Sequence, residues 1–258
     1  MAYWQDRIAE AQTALTNKKI KQIEKQLKQY YGKSMERVIA DFEMTYNKIL
    51  LAAEEGKQPT PADLYKLDSY WKMQWKLKLE LQKLGDKQIA AMSKIFEMHF
   101  FDIYYSIALE TADSFGTIST ETVLQMINSI WVADGKSWSQ RIWDNTELLA
   151  ETLNSELIHC VVTGRKTSYL KEVLQDRFNV SYSRADSIVR TEMSHIQNQA
   201  AQKRYENAGV REFEVWADAD ERRCEVCGKL HKTRYPIGSH VPIPAHPRCR
   251  CSIVPVIE

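Results

Sequence analysis

The chain has 258 residues, of which 44% are hydrophobic and 27% are charged, a composition typical of a folded globular protein. Basic and acidic side chains balance to a formal net charge of +1, so the total charge does not indicate a nucleic-acid partner. No run reaches the roughly 18 apolar residues of a membrane span, and the charges of Asp6 and Arg7 interrupt the apolar core of a signal peptide, so we expect neither.

The positions of proline and glycine predict a helical body followed by a different C-terminal module. No proline occurs between Pro61 and Pro236, and five of the seven prolines follow Tyr235. Glycine readily adopts the conformation that closes a helix, so we take most glycines as helix ends. The predicted helices cover about 3–31, 33–55, 61–84, 86–114, 119–132, 137–163, 167–178 and 183–208.

The last predicted helix carries two charged residues of interest, Arg190 and Glu192. Ser183 with Asp186 resembles a capping box at its start, and Gly209 is a natural stop. At about 100° per residue, Arg190 and Glu192 lie on opposite shoulders of the apolar stripe. They therefore cannot pair with each other, and we predict that each makes a structural polar contact with a neighbouring element.

The pattern after this helix changes to that of two β-strands. Residues 211–216 alternate polar and apolar side chains, which is typical of a strand with one buried face. Residues 252–257 are rich in β-branched side chains, and Pro255 suits an edge strand. The fold class predicted is therefore α+β and mainly α-helical, with a long-helix body and a small β-containing C-terminal module.

A cluster of cysteine and histidine residues lies between the two strands, and from it we predict that the C-terminal module is stabilised by zinc. Cys224 and Cys227 form a CxxC knuckle that can direct two thiolates at one ion. Two of His246, Cys249 and Cys251 would complete a tetrahedron, and the sequence leaves open which two. Cys249 and Cys251 are so close along the chain that we expect backbone strain if both bind one ion.

Other interpretations of the cysteines stay open at this stage. Two disulfides require an oxidising compartment, which nothing in the sequence indicates, and scattered reduced thiols are the remaining alternative. A catalytic zinc of the deaminase type is excluded, because no His-x-Glu precedes a Pro-Cys-x-x-Cys. His231 and His240 lie between the two halves of the cluster and have no assigned role. Cys160, in an apolar helical context, is predicted to be a small buried hydrophobic residue.

Several motifs in the last part of the chain together resemble one protein family. They are Arg190-Thr191-Glu192, Ala200, Tyr205, Gly209, Asp218 to Asp220, Cys224-x-x-Cys227-x-x-Leu230, His246-Pro-x-Cys249-Arg-Cys251 and Val254-Pro255. In this order they resemble the head-morphogenesis domain of the phage Mu F-like minor head proteins, over about residues 140–258. Tyr3-Trp4-x-x-Arg7 before long helices is also similar to that group. The resemblance implies an N-terminal helical region at 1–135 and the family domain at 136–258, with the Cys/His module at 211–258.

The resemblance also implies a function and partners. It implies a non-enzymatic minor capsid protein of a tailed phage or prophage, assembled in the host cytoplasm and located in the virion head near the portal. The implied partners are the portal protein and other head proteins, with non-specific contact to packaged DNA, and no membrane or small-molecule substrate. The aromatics expected to supply such contacts, some of them also needed for the core, are Trp4, Tyr30, Tyr31, Trp71, Trp75, Trp131, Trp138 and Trp143.

The alternative function is a zinc-containing nucleic-acid-binding protein or nuclease. It draws on a basic rim near the cysteine cluster, comprising Arg222, Arg223, Lys229, Lys232, Arg234, Arg248 and Arg250. Nearby acidic side chains, among them Asp218, Asp220, Glu221 and Glu225, dilute this rim.

Overall fold

The computed structural model of the chain describes residues 2–52, 59–111, 116–217 and 224–256, and about three quarters of these are helical. Seven helices and three strands occur in these ranges. The helices are α1 (Ala2–Ala52), α2 (Pro61–Tyr65), α3 (Asp68–Thr111), α4 (Thr120–Ile127), α5 (Trp138–Val162), α6 (Thr167–Asn207) and α7 (Glu225–Leu230). The strands are β1 (Glu212–Trp216), β2 (Arg234–Pro236) and β3 (Ser252–Pro255). The prediction of a mainly helical chain with a small C-terminal sheet is confirmed.

The helices are fewer and longer than predicted, because two glycines do not end them. Gly32 lies inside α1 and Gly85 inside α3, so the predicted breaks at these residues are wrong. Glycine weakens a helix interior by only about 1 kcal/mol, which the packing of a long apolar face exceeds. By contrast, Gly135, Gly164 and Gly209 do follow turns or helix ends and have positive φ angles of 69°, 62° and 74°.

A second correction concerns the start of the helix that carries Arg190 and Glu192. Ser183 and Asp186 lie in the middle of α6, which begins at Thr167 and continues without a break. The capping-box prediction is therefore wrong. Ser and Asp are tolerated inside a helix when their polar groups have partners, and both residues make such interactions.

The three strands form one antiparallel sheet in the order β2-β1-β3. Phe213 of β1 pairs with Tyr235 on one side and with Pro255 on the other, so the predicted pairing of the two strands and the edge position of Pro255 are confirmed. Strand β2 was not predicted, because three residues in a proline-rich loop show no alternating pattern. All four residues of β3 are buried.

The described residues pack into two compact units. The first contains Met1–Glu24, Ala91–Trp138 and Ser187–Glu258, and therefore holds the sheet and the cysteine cluster. In this unit Ile8, Ala9 and Val254 form a buried cluster, against which Trp4 and Trp216 pack. The domain boundary predicted at 135/136 follows a family resemblance and stays a prediction.

The second unit contains Lys25–Ala90 and Ser139–Asp186. Its buried side chains come from α1, α3, α5 and α6, and include Leu27, Phe42, Tyr46, Leu77, Leu153, Leu157, Cys160 and Phe178. Cys160 is fully buried, as predicted. Among the described residues, no helix combines the length and the apolarity that crossing a bilayer requires.

Candidate metal centre

The first two candidate ligands are held by the short helix α7. Cys224 is its N-cap residue, and the Cys227 backbone N–H donates to the Cys224 Sγ at 3.3 Å. This arrangement turns both sulfurs to the same side of the helix start. Cys227 is buried and Cys224 is half-buried. A helix of six residues was not predicted here, because one and a half turns carry no measurable periodicity.

The other three candidates lie on the segment that leads into β3. A turn in which the Cys249 N–H donates to the His246 carbonyl at 3.2 Å sets the distance between these two residues. Within it, Arg248 has a positive φ of 61°, and its N–H donates to the Thr191 hydroxyl on α6 at 3.0 Å. The segment is thereby fixed to α6, and Cys251 directly precedes the first residue of β3.

The ligand atoms of all five residues converge into two overlapping triads that share Cys227. The ligand atoms of Cys224, Cys227 and His246 lie within 4.8 Å of one another, as do those of Cys227, Cys249 and Cys251. The Cys249 and Cys251 thiols thus lie within reach of one centre. The backbone strain expected if both bind one ion stays a prediction.

The distances within the cluster match those of a metal site better than those of a disulfide. The Sγ atoms of Cys227 and Cys249 are 3.7 Å apart, and Cys227 Sγ lies 3.3 Å from His246 Nε2. A disulfide needs about 2.05 Å. Ligands of a tetrahedral zinc with bonds of about 2.0–2.3 Å are separated by about 3.3–3.8 Å. All five cysteines of the chain are free thiols.

The His246 ring is oriented with its Nε2 towards the cluster. Its Nδ1 lies 2.8 Å from the Pro247 carbonyl oxygen, and because a carbonyl only accepts, this contact is a hydrogen bond when Nδ1 carries the proton. In that tautomer the lone pair of Nε2 faces Cys227. Metal-binding histidines commonly use a carbonyl in this way to orient the ring.

Crowding of the thiols perturbs their pKa values in opposite directions. A hydrogen bond from Cys251 lowers the pKa of Cys249 to about 5, and the same contact raises the pKa of Cys251. Burial raises the pKa of Cys227 to about 12. The protein alone thus favours a thiolate at Cys249 and neutral thiols at Cys227 and Cys251. A divalent cation would reverse this preference, because a coordinating thiol loses its proton.

Side chains of α6 hold the strand that follows the cluster. Asn198 donates from Nδ2 to the Cys251 carbonyl at 3.1 Å and accepts from the Ile253 N–H at 3.0 Å. The Tyr205 hydroxyl donates to the Ile253 carbonyl at 3.0 Å. Strand β3 is at the edge of the sheet, and these bonds satisfy the backbone groups that an edge leaves unpaired. Asn198 was not singled out from the sequence, because its partners are more than 50 residues away.

Arg190 and Glu192 lie outside the two triads and contact different elements. Arg190 donates to the Glu24 carboxylate on α1, and the Trp131 indole N–H donates to Glu192 Oε2 at 3.0 Å. Glu192 is buried, with 1% of its surface exposed. Both residues therefore contact neighbouring elements, as a structural polar role requires.

The remaining candidates are not brought into the cluster. His231 accepts from the Ala217 N–H through Nδ1 at 3.2 Å and meets the Trp216 ring edge-on, so it supports β1. Neither it nor His240 belongs to a metal-ligating group among the described residues. The motif residues Asp218 and Asp220, with Glu221 and the basic pair at 222–223, lie outside the residues that the structure describes.

One comparison with known proteins bears on this region. Residues 151–254 match the family model described as phage Mu protein F like protein, which confirms the resemblance inferred from the motifs. The matched segment covers less than half of the chain and includes all five candidate ligands. No curated protein and no solved structure matches the chain significantly.

Proposed function

We propose, starting from the match of residues 151–254 to the phage Mu F-like family, that this protein is a structural component of a tailed-phage head. Its role is that of a minor capsid protein that joins the head during assembly at the portal vertex and is not an enzyme. The observation that carries the proposal is that the cysteine cluster, the α6 residues that hold β3, and the family match coincide in one segment.

The second part of the proposal concerns the metal. The donors are thiols and an imidazole, a set that favours zinc over magnesium or calcium. Cys224, Cys227 and two of His246, Cys249 and Cys251 would hold it. A bound zinc would supply a cross-link between α7 and the segment before β3, and so order a loop that has few apolar side chains. The residues themselves orient the ligands and keep water from the buried thiols.

The contacts around the cluster support a structural role more than a phosphate-binding one. Lys229 pairs with Glu225 at 2.7 Å, and Arg234 lies 3.4 Å from Glu214. Cations that are already paired contribute less to binding a phosphate backbone. The nucleic-acid alternative is therefore the weaker candidate. It predicts DNA affinity that falls steeply with salt, or DNA cleavage that requires the metal.

The zinc proposal is tested by elemental analysis of the reduced protein with matched cysteine variants. We expect about one zinc per chain in the wild type and in Cys160→Ala, whose thiol is buried far along the chain from the cluster. Cys227→Ala removes the sulfur that both triads share, so we expect it to lose the metal. Equal zinc content in all three proteins, or none in the wild type, would refute the metal site.

The assembly proposal has a separate test. The chain is co-expressed with a tailed-phage portal protein, and the portal oligomer is purified by size. We expect the wild type to co-elute with the portal and Cys227→Ala to be lost from it. A chain that never joins the portal or a procapsid, or a purified chain that degrades DNA unless Cys227 is substituted, would contradict the structural function.

A further inference from the structure

An apolar groove of about 600 Å³ lies in the second compact unit, between α3 and α5. Its base includes the buried side chains of Leu77 and Leu81. Three tryptophans line it, Trp71 and Trp75 from α3 and Trp143 from α5. These helix segments precede residue 151, so the groove is outside the segment that matches the phage family.

Two of these tryptophans are far more exposed than such side chains usually are. Trp71 is 55% exposed and Trp75 is 62% exposed, although burying either ring would stabilise the protein. Of the eight aromatics expected to supply contacts, Tyr31 and Trp138 are instead buried. An exposed pair of tryptophans one helical turn apart, beside an apolar groove, is typical of an interaction surface.

Trp71 is fixed in its exposed position before any partner binds. Its indole N–H donates to the Tyr65 carbonyl at 2.9 Å, and its ring lies edge-on against Tyr70 with centroids 5.3 Å apart. A side chain that is already ordered loses little conformational entropy on binding. This arrangement favours a surface that receives a partner over a ring left exposed by chance.

The two sides of the groove carry opposite charges. Lys78 lines it on the α3 side, and Glu147 lines it on the α5 side, and both side chains are exposed. A partner that fills the apolar base must therefore present an acidic group towards α3 and a basic group towards α5. A partner with one sign of charge on both flanks would be repelled at one of them.

We propose that this groove binds an amphipathic helix of another protein chain, with one acidic and one basic flank beside an apolar stripe. From residue 71 to residue 82 the α3 side is roughly 17 Å long, which corresponds to about three helical turns. Helices dock in such grooves through large apolar residues at i, i+3 or i+4 and i+7. A small ligand is the poorer fit, because small-molecule sites bury about 70–90% of their ligand. Here Trp71 and Trp75, which line the groove, are each more than half exposed.

This inference deepens the proposed contact with another head protein, and it rests on that function only for the partner's origin. The surface and its chemistry are tested with synthetic helices, so the result is separate from the zinc and assembly experiments. If the peptides do not bind as expected, the head-protein proposal is unaffected. If the chain does not join the portal, the groove can still bind a helix of some other protein.

The experiment titrates the full chain into three dye-labelled 16-residue helical peptides that share one Leu/Phe stripe. One peptide has an acidic and a basic flank, one has two acidic flanks, and one has two basic flanks. A helix can reverse its direction in a groove, so flank content, not flank order, is compared. We expect the mixed peptide to bind at least about threefold more tightly than the other two, from anisotropy.

Three variants identify the site. Trp75→Ala should weaken the mixed peptide at least about tenfold, as loss of a central tryptophan does in interfaces. Leu51→Ala, an 86% exposed apolar residue outside the groove lining, should not change binding. Glu147→Lys makes both flanks basic, so the peptide with two acidic flanks should become the tightest. Thermal melting of each variant checks that it is folded.

Several results would overturn the inference. They are equal binding of all three peptides, no binding of the mixed peptide, or affinity that Trp75→Ala leaves unchanged. Sedimentation showing that the free chain dimerises, with dimerisation abolished by Trp75→Ala, would also overturn it, because the occupant would then be a second copy.

Discussion

Gly85 is the position at which an added methyl group should be most informative. It lies inside α3, where glycine is about 1 kcal/mol less favourable than alanine. A Cβ at this position would meet the Trp143 ring at 2.4 Å, 2.8 Å and 2.9 Å from its three nearest carbons. Gly32, inside α1, offers a control, because an added Cβ there meets nothing within 4 Å. Both glycines belong to the second compact unit.

The expected magnitudes follow from these contacts. Gly32→Ala should raise the unfolding free energy by about 1 kcal/mol, from helix propensity alone. Gly85→Ala gains the same term but forces the large Trp143 ring to move, and overpacking of this kind costs about 1–3 kcal/mol. We therefore expect Gly85→Ala to be about 1–3 kcal/mol less stable than Gly32→Ala. At this chain length each kcal/mol shifts the melting temperature by about 2–4 °C.

Circular dichroism during thermal and urea unfolding measures both variants without relying on tryptophan fluorescence. A Trp143→Leu background adds a second comparison, because the smaller side chain should relieve the contact and reduce the cost of Gly85→Ala. If Gly85→Ala stabilises the chain as much as Gly32→Ala does, then Trp143 does not pack against α3 at this residue. The shape inferred for the groove would be wrong as well.

Further predictions concern buried polar groups and the metal. Burial lowers the pKa of His99 to about 4, so between about pH 6.5 and pH 4 the unfolded chain binds more protons than the folded chain. The unfolding free energy should therefore fall as the pH decreases from about 6.5 to about 4. In urea titrations, the unfolding free energy of His99→Gln should depend less steeply on pH. Asn198→Ala leaves two buried backbone groups without their partner and should lower the unfolding free energy by about 2–4 kcal/mol. We expect a lower melting temperature and weaker zinc retention in a chelator titration. Unchanged zinc retention would show that Asn198 does not position Cys251. Removing zinc with a chelator should increase amide exchange within residues 224–256 while the exchange of α1 and α3 stays unchanged; uniform protection would contradict a structural metal.

Features that depend on neighbours along the chain were predictable from the sequence. The CxxC and HxxCxC spacings place their donors within one or two turns of backbone, so the sequence alone indicated a common centre for Cys224, Cys227 and two of the three later residues. The alternation at 211–216 and the β-branched run at 252–257 likewise predicted β1 and β3, because a strand's pattern is local. Gly209 was predicted as a helix end, and its positive φ explains why glycine is needed there.

Features that depend on residues far apart were decided by the tertiary structure. Gly32 and Gly85 look alike in the sequence, yet only Gly85 is in contact with a ring from another helix, 58 positions along the chain. The partners of Asn198, Arg190 and Glu192 come from β3, α1 and the segment after α4, and no local pattern encodes them. The exposure of Trp71 and Trp75 also follows from which helices pack together, since the sequence did not show which of the eight aromatics lie in the core and which on the surface. The sequence allows many contacts between distant residues, and the packing of the folded chain decides which of them form.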